Sequence, residues 1–234
     1  EQVKIAYILS TWDRAILLLK KRKDLIKTYR DGLMKSYIKE EYKKQKSKNV
    51  YKRLQNYLNP TSELVLDRKI EPVSVGVNGI RLRSEVYSKE LTTDYTKNKV
   101  IRKNDLCFGI GTNSIVYDVL LEDSIYCVSP AYKVFQVNNI DSFFLKCYLD
   151  TFNDYYSKKY MIVSARQGKT VDMEGFLNEK IYAPSIEKQL LLSKTILVLD
   201  RYLDSLNKKI EVIQIQKSGL VQQLFTGKIR VKIN

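Results

Sequence analysis

The sequence contains no histidine among its 234 residues. That removes the imidazole base of Ser-His-Asp and Cys-His sites and every His-ligated metal centre. Catalysis would have to run on carboxylates, Lys or Tyr. Asp67-Arg-Lys69 and Glu41-Tyr-Lys43 have the acid-x-Lys order of a Mg²⁺-dependent nuclease, which needs carboxylates and a lysine around the metal. No Pro-Asp dipeptide lies upstream of either, and such tripeptides arise readily in a chain that is 29% charged. Phe108-Gly-Ile-Gly111 resembles part of a nucleotide- or methyl-donor-binding turn, and Ser129-Pro-Ala-Tyr132 part of an amino-methyltransferase tetrapeptide. The first lacks a third glycine and a following helix; the second has Ser and Ala where that chemistry wants Asn or Asp and a second Pro. Cys107, Cys127 and Cys147 show no CxxC spacing, so neither a disulfide framework nor a zinc site is expected, and three free thiols suit a reducing cytoplasm. No cofactor is expected.

Recognition is the better-supported chemistry. Against 26 Asp and Glu the chain sets 41 Lys and Arg, a net charge of +15, which favours a polyanion such as nucleic acid. Residues 1–53 hold 16 of the basic residues against 6 acidic ones. The middle of the chain carries Arg, Lys, Asn, Gln and Ser on turn-rich stretches: Asn78, Arg81, Arg83, Lys97, Lys99, Arg102, Lys103, Asn113, Arg166, Gln167 and Lys169. Arg reads guanine and Asn or Gln reads adenine, while Lys holds phosphates. Arg81, Arg83, Asn113, Arg166 and Gln167 are expected on bases or phosphates, and Lys97, Lys99, Lys103 and Lys169 mainly on phosphates.

The elements that must position these residues follow from the breakers. All four prolines and six of the nine glycines lie between residues 60 and 184, so two long helices flank a β-rich globular part of mixed α/β type. The fold class is therefore α+β. Leu192, Ile196, Leu199, Leu203, Leu206, Ile210 and Ile213 alternate spacings of four and three, an a/d seam. Ile5, Leu9, Trp12, Ile16, Leu19 and Ile26 keep the same phase, with Lys23 as a polar interruption. Adding 187 to these N-terminal numbers lands on the C-terminal seam, and matches Gln2 with Gln189, Asp13-Arg14 with Asp200-Arg201 and Gly32-Leu33 with Gly219-Leu220. Two similar seams can bury each other as an antiparallel coiled coil. Between the helices, Tyr42 to Arg53 reads as a charged connector, and Val73–Val75 as a strand before a turn at residues 76–79. Further strands are expected at 106–110, 115–121, 124–128 and 132–137, a helix at 143–153 and a loop at 164–169. No apolar run reaches the roughly 18 to 20 residues of a membrane span, and no signal-peptide pattern opens the chain.

Three segments resemble one family. Glu1-Gln-Val-Lys-Ile-Ala-Tyr-Ile-Leu-Ser-Thr-Trp-Asp13 is similar to the EQ-x-x-IA-x-IL-x-x-x-D opening of the spacer in specificity subunits of type I restriction-modification systems. Pro184-Ser-Ile-Glu-Lys-Gln189 is similar to the family's P-x-x-EQ with one inserted residue, and Gly219-Leu-Val-Gln-Gln-Leu-Phe-Thr-Gly-Lys-Ile-Arg-Val231 to its closing GL-x-QQLFTGKIR. The resemblance implies a spacer helix at 1–50, a target-recognition domain at 51–184 and a second spacer helix with a tail at 185–234. It implies a DNA-binding subunit without catalysis of its own, whose helices dock methyltransferase subunits and which joins a restriction subunit in the cytoplasm. One recognition domain reads half of a bipartite site in double-stranded DNA, as a fragment of a longer subunit or as a half-length form that pairs with a second copy. A carboxylate nuclease and a basic coiled-coil adaptor for an acidic protein are the alternatives.

Overall fold

A single glycine and no proline fall between residues 2 and 44, and this stretch is one helix, α1 (Gln2–Lys44). Strands β1 (Tyr51–Arg53) and β2 (Leu58–Thr61) follow, then a hairpin of β3 (Val73–Gly76) and β4 (Gly79–Leu82) and a one-turn helix, α2 (Arg83–Val86). Next come β5 (Lys99–Ile101), β6 (Asp105–Phe108), β7 (Tyr117–Val119), β8 (Tyr126–Val128) and β9 (Lys133–Val137). Helix α3 (Ser142–Tyr160), hairpin β10 (Met161–Ser164) and β11 (Gly168–Val171), helix α4 (Met173–Leu177), strand β12 (Lys180–Tyr182) and helix α5 (Ile186–Phe225) complete the chain. The computed structural model describes residues 1–44, 51–89, 92, 94–111, 113–164 and 168–231. It divides into two units, one of residues 1–36 with 194–234 and one of residues 37–193.

The first unit is a helix pair. Each expected seam position on α1 and α5, Lys23 included, is buried or half-buried, with Ile16, Ile196, Leu206 and Ile210 the best covered. Arg30 grips Asp200 through two guanidinium nitrogens at 2.9 and 3.3 Å, Lys217 bonds Asp13 at 2.5 Å, and the Arg22 guanidinium lies 5.3 Å from the centre of the Tyr202 ring. Rising numbers on α1 meet falling numbers on α5, so the pair is antiparallel. The shift of 187 turns Asp13 into Asp200 and Arg30 into Lys217. The two ion pairs are thus one contact made twice, and the internal repeat acts as an approximate dyad. Partly exposed pairs of this kind are worth at most about 1 kcal/mol each; the apolar seam carries most of the association.

In the second unit the antiparallel sheet runs β2-β9-β6-β7. Pro60 is tolerated because β2 is an edge strand. On one face Cys107, Val116 and Val134 pack with Val73 and Val75 of the β3–β4 hairpin and with Ile101 and Val128 of the β5–β8 ladder. On the other, the Phe108 ring meets Phe135 and Phe176 edge-on at 5.7 and 5.8 Å, and Phe176 meets Tyr156 and Tyr160 of α3 at 5.3 and 5.6 Å. The sheet is thus covered by strands on one side and by α3 with α4 on the other. Asp141 caps α3 by accepting from the Phe144 amide at 2.8 Å and also takes the Ser193 hydroxyl at 2.5 Å. Gln189 is buried, accepts from the Asp141 amide at 2.8 Å and donates to the Pro184 carbonyl at 2.7 Å. The glutamine of the Pro184–Gln189 motif therefore locks the start of α5 to the start of α3.

Three sequence expectations are modified. The connector at 42–53 is helical to Lys44 and ends in β1, which pairs with β12. The stretch from Gly79 to Leu82 is a strand rather than a turn, because Ile80 and Leu82 alternate with Arg81 and pack on the core. The loop expected at 164–169 is flanked by the paired strands β10 and β11. Among the described residues no helix is long and apolar enough to cross a membrane.

Candidate nucleic-acid interface

Antiparallel pairing brings the C-terminal end of β6 and the N-terminal starts of β7 and β9 to one end of the sheet, since Phe108 faces both Tyr117 and Lys133. Two connections meet there, 109–116 and 129–132. Both line one cavity with Thr170 and Val171 of β11. The 109–116 loop is folded back on itself. The Gly109 amide donates to the Val116 carbonyl at 2.9 Å, and a Cβ at Gly111 would overlap the Ser114 carbonyl oxygen. A Cβ at Gly109 would overlap the Val75 carbonyl oxygen, so the β3–β4 hairpin is seated directly against this loop. Both glycines of the Phe108–Gly111 motif are thus required by close backbone packing.

The hairpin turn presents Val77, 84% exposed, and Asn78 to solvent; the left-handed step falls on Gly79 at φ +83°. Asp118 on β7 holds that turn. One carboxylate oxygen accepts from the Ile80 amide at 2.8 Å, and a Cβ on Gly79 would collide with it. The other lies 3.4 Å from the Lys146 ammonium of α3, which also bonds Asp150 at 2.9 Å. Burial alone would lower the Lys146 pKa, but the Asp150 and Asp118 carboxylates outweigh it and hold the value above that of a free lysine.

The predicted contact residues separate into groups. Asn78 and Arg81 lie on the hairpin, Arg81 exposed and 3.7 Å from Glu85. Asn113 lies exposed on the 109–116 loop beside Ile110, itself 67% exposed. Lys99 reaches the same end of the sheet but donates to the Tyr132 carbonyl at 2.6 Å, a tie between β5 and the 129–132 connection. Arg83 is half-buried, with its guanidinium over the Tyr87 ring at 5.6 Å, and Lys97 is exposed on the turn before β5. Arg166 and Gln167 lie outside the described residues. Lys169 is on β11, its backbone paired with Val163.

Arg102 and Lys103 sit at the opposite end of β6. Arg102 binds both oxygens of Glu63, at 2.7 and 3.1 Å, and Lys103 lies 3.7 Å from Asp123. Their turn is built by Asn104 at φ 71° and by Asp105, whose carboxylate accepts from the Arg102 amide at 2.8 Å. Burial raises the Asp105 pKa, with the Arg102 amide and guanidinium acting in the other sense. Above the ordinary carboxylate pKa the native state then holds more protons than the unfolded one. Stability falls as pH rises through the window up to the raised value, and the penalty is complete beyond it. Asp105→Asn, which keeps an acceptor for the Arg102 amide, should therefore be at least as stable as the parent at pH 7. Its advantage should shrink in acid; urea melts from pH 3 to 8 read this, and a less stable variant at pH 7 contradicts it.

Sequence reasoning missed Asp118, Lys146, Asn153 and Ser157. A signal was present: Lys146, Asp150, Asn153 and Ser157 recur at spacings of four, three and four in a helix rich in aromatic residues. Among the described residues no group of three or more His, Cys, Asp or Glu could hold a metal ion.

A β-rich unit inserted in the chain between two long antiparallel helices is the architecture of the specificity subunits of type I restriction-modification systems, and solved structures share it over almost the whole chain. The HsdS subunit from Thermoanaerobacter tengcongensis superposes with a TM-score of 0.56 at 10% identity, over 97% of this chain and 57% of that one. The type I restriction-modification system S subunit from M. genitalium gives 0.54 at 15% identity, over 95% and 60%. A chain from a study of complex assembly and conformational transition of the type I R-M system gives 0.53 at 11%, over 95% and 58%. The present chain spans 57% to 60% of the length of these solved chains. No protein-family model matches the sequence, and no curated protein sequence matches it.

Proposed function

We propose that this chain is a non-catalytic specificity component of a type I restriction-modification complex, reading one half of a bipartite site in double-stranded DNA. The fold shared with specificity subunits over 95% to 97% of the chain carries this reading. The recognition domain is residues 51–184. The β3–β4 turn and the 109–116 loop read bases through Asn78, Arg81 and Asn113, with Val77 and Ile110 available to thymine methyl groups. Lys97 serves phosphates. The helices dock the methyltransferase subunits: Tyr7, Leu17, Leu25 and Tyr29 on α1 and Val198 and Ile215 on α5 are exposed, outside the seam. A restriction subunit completes the assembly, which works in the cytoplasm. The second half-site falls to another recognition domain, on a longer chain or on a second copy.

The test is co-expression with the methyltransferase subunits followed by mapping of methylated adenines in host DNA. A bipartite motif should emerge, with one half altered when residues 51–184 are exchanged for another domain. A motif indifferent to that exchange overturns the reading. Purified with Mg²⁺ and plasmid, the chain alone should leave the DNA intact and bind duplex with affinity falling steeply as salt rises. Cleavage would return the carboxylate nuclease, and salt-independent failure to bind would return the adaptor.

A further inference from the structure

Helix α3 carries a polar row, Lys146, Asp150, Asn153 and Ser157, beside a buried face that includes Phe144, Leu145, Tyr148 and Tyr156. Each end of the row grips one of the two exposed segments assigned above to base reading. At the C-terminal end the Ser157 hydroxyl accepts from the Ile115 amide at 2.9 Å and donates to the Asn153 side-chain oxygen Oδ1 at 2.9 Å. Asn153 in turn donates to the Ile115 carbonyl at 3.1 Å. Both backbone groups of one residue in the 109–116 loop are thereby held by a helix turn. At the N-terminal end Lys146 holds Asp118, and Asp118 holds the Ile80 amide beside Gly79, where only a residue without Cβ fits. The Asp118 side chain is 14% exposed and Ser157 is buried, so both links are shielded from water.

We propose that the polar row of α3 sets the mutual placement of the 76–79 turn and the 109–116 loop, making Asp118 and Ser157 positioning residues for DNA sequence discrimination. This rests on the reading of those two segments as base-contacting. A two-point hold on a single helix matters because a bidentate base contact tolerates little displacement, whereas phosphate contacts through flexible lysines tolerate much. Loosening either grip should therefore erode discrimination and leave non-specific affinity alone.

The experiment uses the full chain assembled with its methyltransferase subunits and compares binding to the mapped target duplex and to random duplex. Asp118→Asn and Ser157→Ala should each lower the ratio of the two affinities about tenfold, with random-duplex affinity unchanged, and Ser157→Thr, which keeps the hydroxyl, should retain the parent ratio. A merely destabilising change would reduce both affinities together and leave the ratio alone. Gly79→Ala, which pushes the turn off an intact Asp118, should reproduce the Asp118→Asn loss. The tip variant Asn78→Ala with Arg81→Ala tests the underlying reading: if it leaves the ratio unchanged, the hairpin is not a reader. If the tip variant lowers the ratio while Asp118→Asn, Ser157→Ala and Gly79→Ala do not, the positioning role is wrong.

Discussion

Gly111→Ala should destabilise the β-rich unit by about 2–4 kcal/mol. A Cβ at this position overlaps the Ser114 carbonyl oxygen and comes within 2.9 Å of a Val116 methyl. The first obstacle is backbone, so no rotamer change relieves it. The 109–116 loop must open, straining the Gly109 to Val116 hydrogen bond and the grip of Asn153 and Ser157 on Ile115. Gly219→Ala supplies the contrast: nothing lies within 4 Å of its Cβ position, and it sits inside α5, so the substitution should raise stability by about 0.5–1 kcal/mol. Urea melts of the two variants against the parent check both signs. A Gly111→Ala protein as stable as the parent would mean that the loop is not folded back as described.

Phe144→Ala is expected to cost still more, about 3–5 kcal/mol. Its ring is fully buried on the first turn of α3, one turn from Tyr148, and both flanking residues, Phe143 and Leu145, are buried as well. Truncation of a fully buried ring removes its transfer free energy and leaves a cavity that the surrounding helix fills only in part. Against a typical domain stability of about 5–15 kcal/mol this is a large fraction. The same truncation at Ile125, which is 53% exposed, should stay within about 0.5 kcal/mol. Thermal melts decide it, and equal effects at the two positions would contradict the placement of α3 in the core.

Much of the architecture was legible in the sequence because it is encoded locally. The heptad phase of Ile5 to Ile26 and of Leu192 to Ile213 was visible from spacing, and every one of those positions turns inward. All four prolines and six of the nine glycines fall in the middle and marked where β structure replaces helix. The pair Gly76 and Gly79 marked the hairpin turn, and the aromatic run from Phe143 the helix that covers the sheet. What escaped were pairings between distant segments. Tyr51–Arg53 reads as part of a charged connector until β12 arrives to pair with it, and three residues carry too little pattern to announce a strand. Arg81 was expected on a turn because its basic neighbours were read together, whereas Ile80 and Leu82 place it on a strand. Arg102 and Lys103 stand among the candidates for DNA contact by residue type; only the tertiary structure brings Glu63 to the first and Asp123 near the second.

The sequence by itself determined that the chain is helix, β-rich domain and helix, that the two helices repeat each other, and that it holds no imidazole and a large excess of Lys and Arg. Periodicity, breakers and the inventory of side-chain groups are properties of short windows and of composition, so one strand of letters suffices to read them. The tertiary structure alone decided which polar residues face outward and which hold others in position. Asp118 and Ser157 look like ordinary surface residues in the sequence. They become fixtures because the sheet delivers Ile80 and Ile115 to them, and a hydrogen bond in a dry, crowded site depends on distances of about 3 Å that no local pattern specifies.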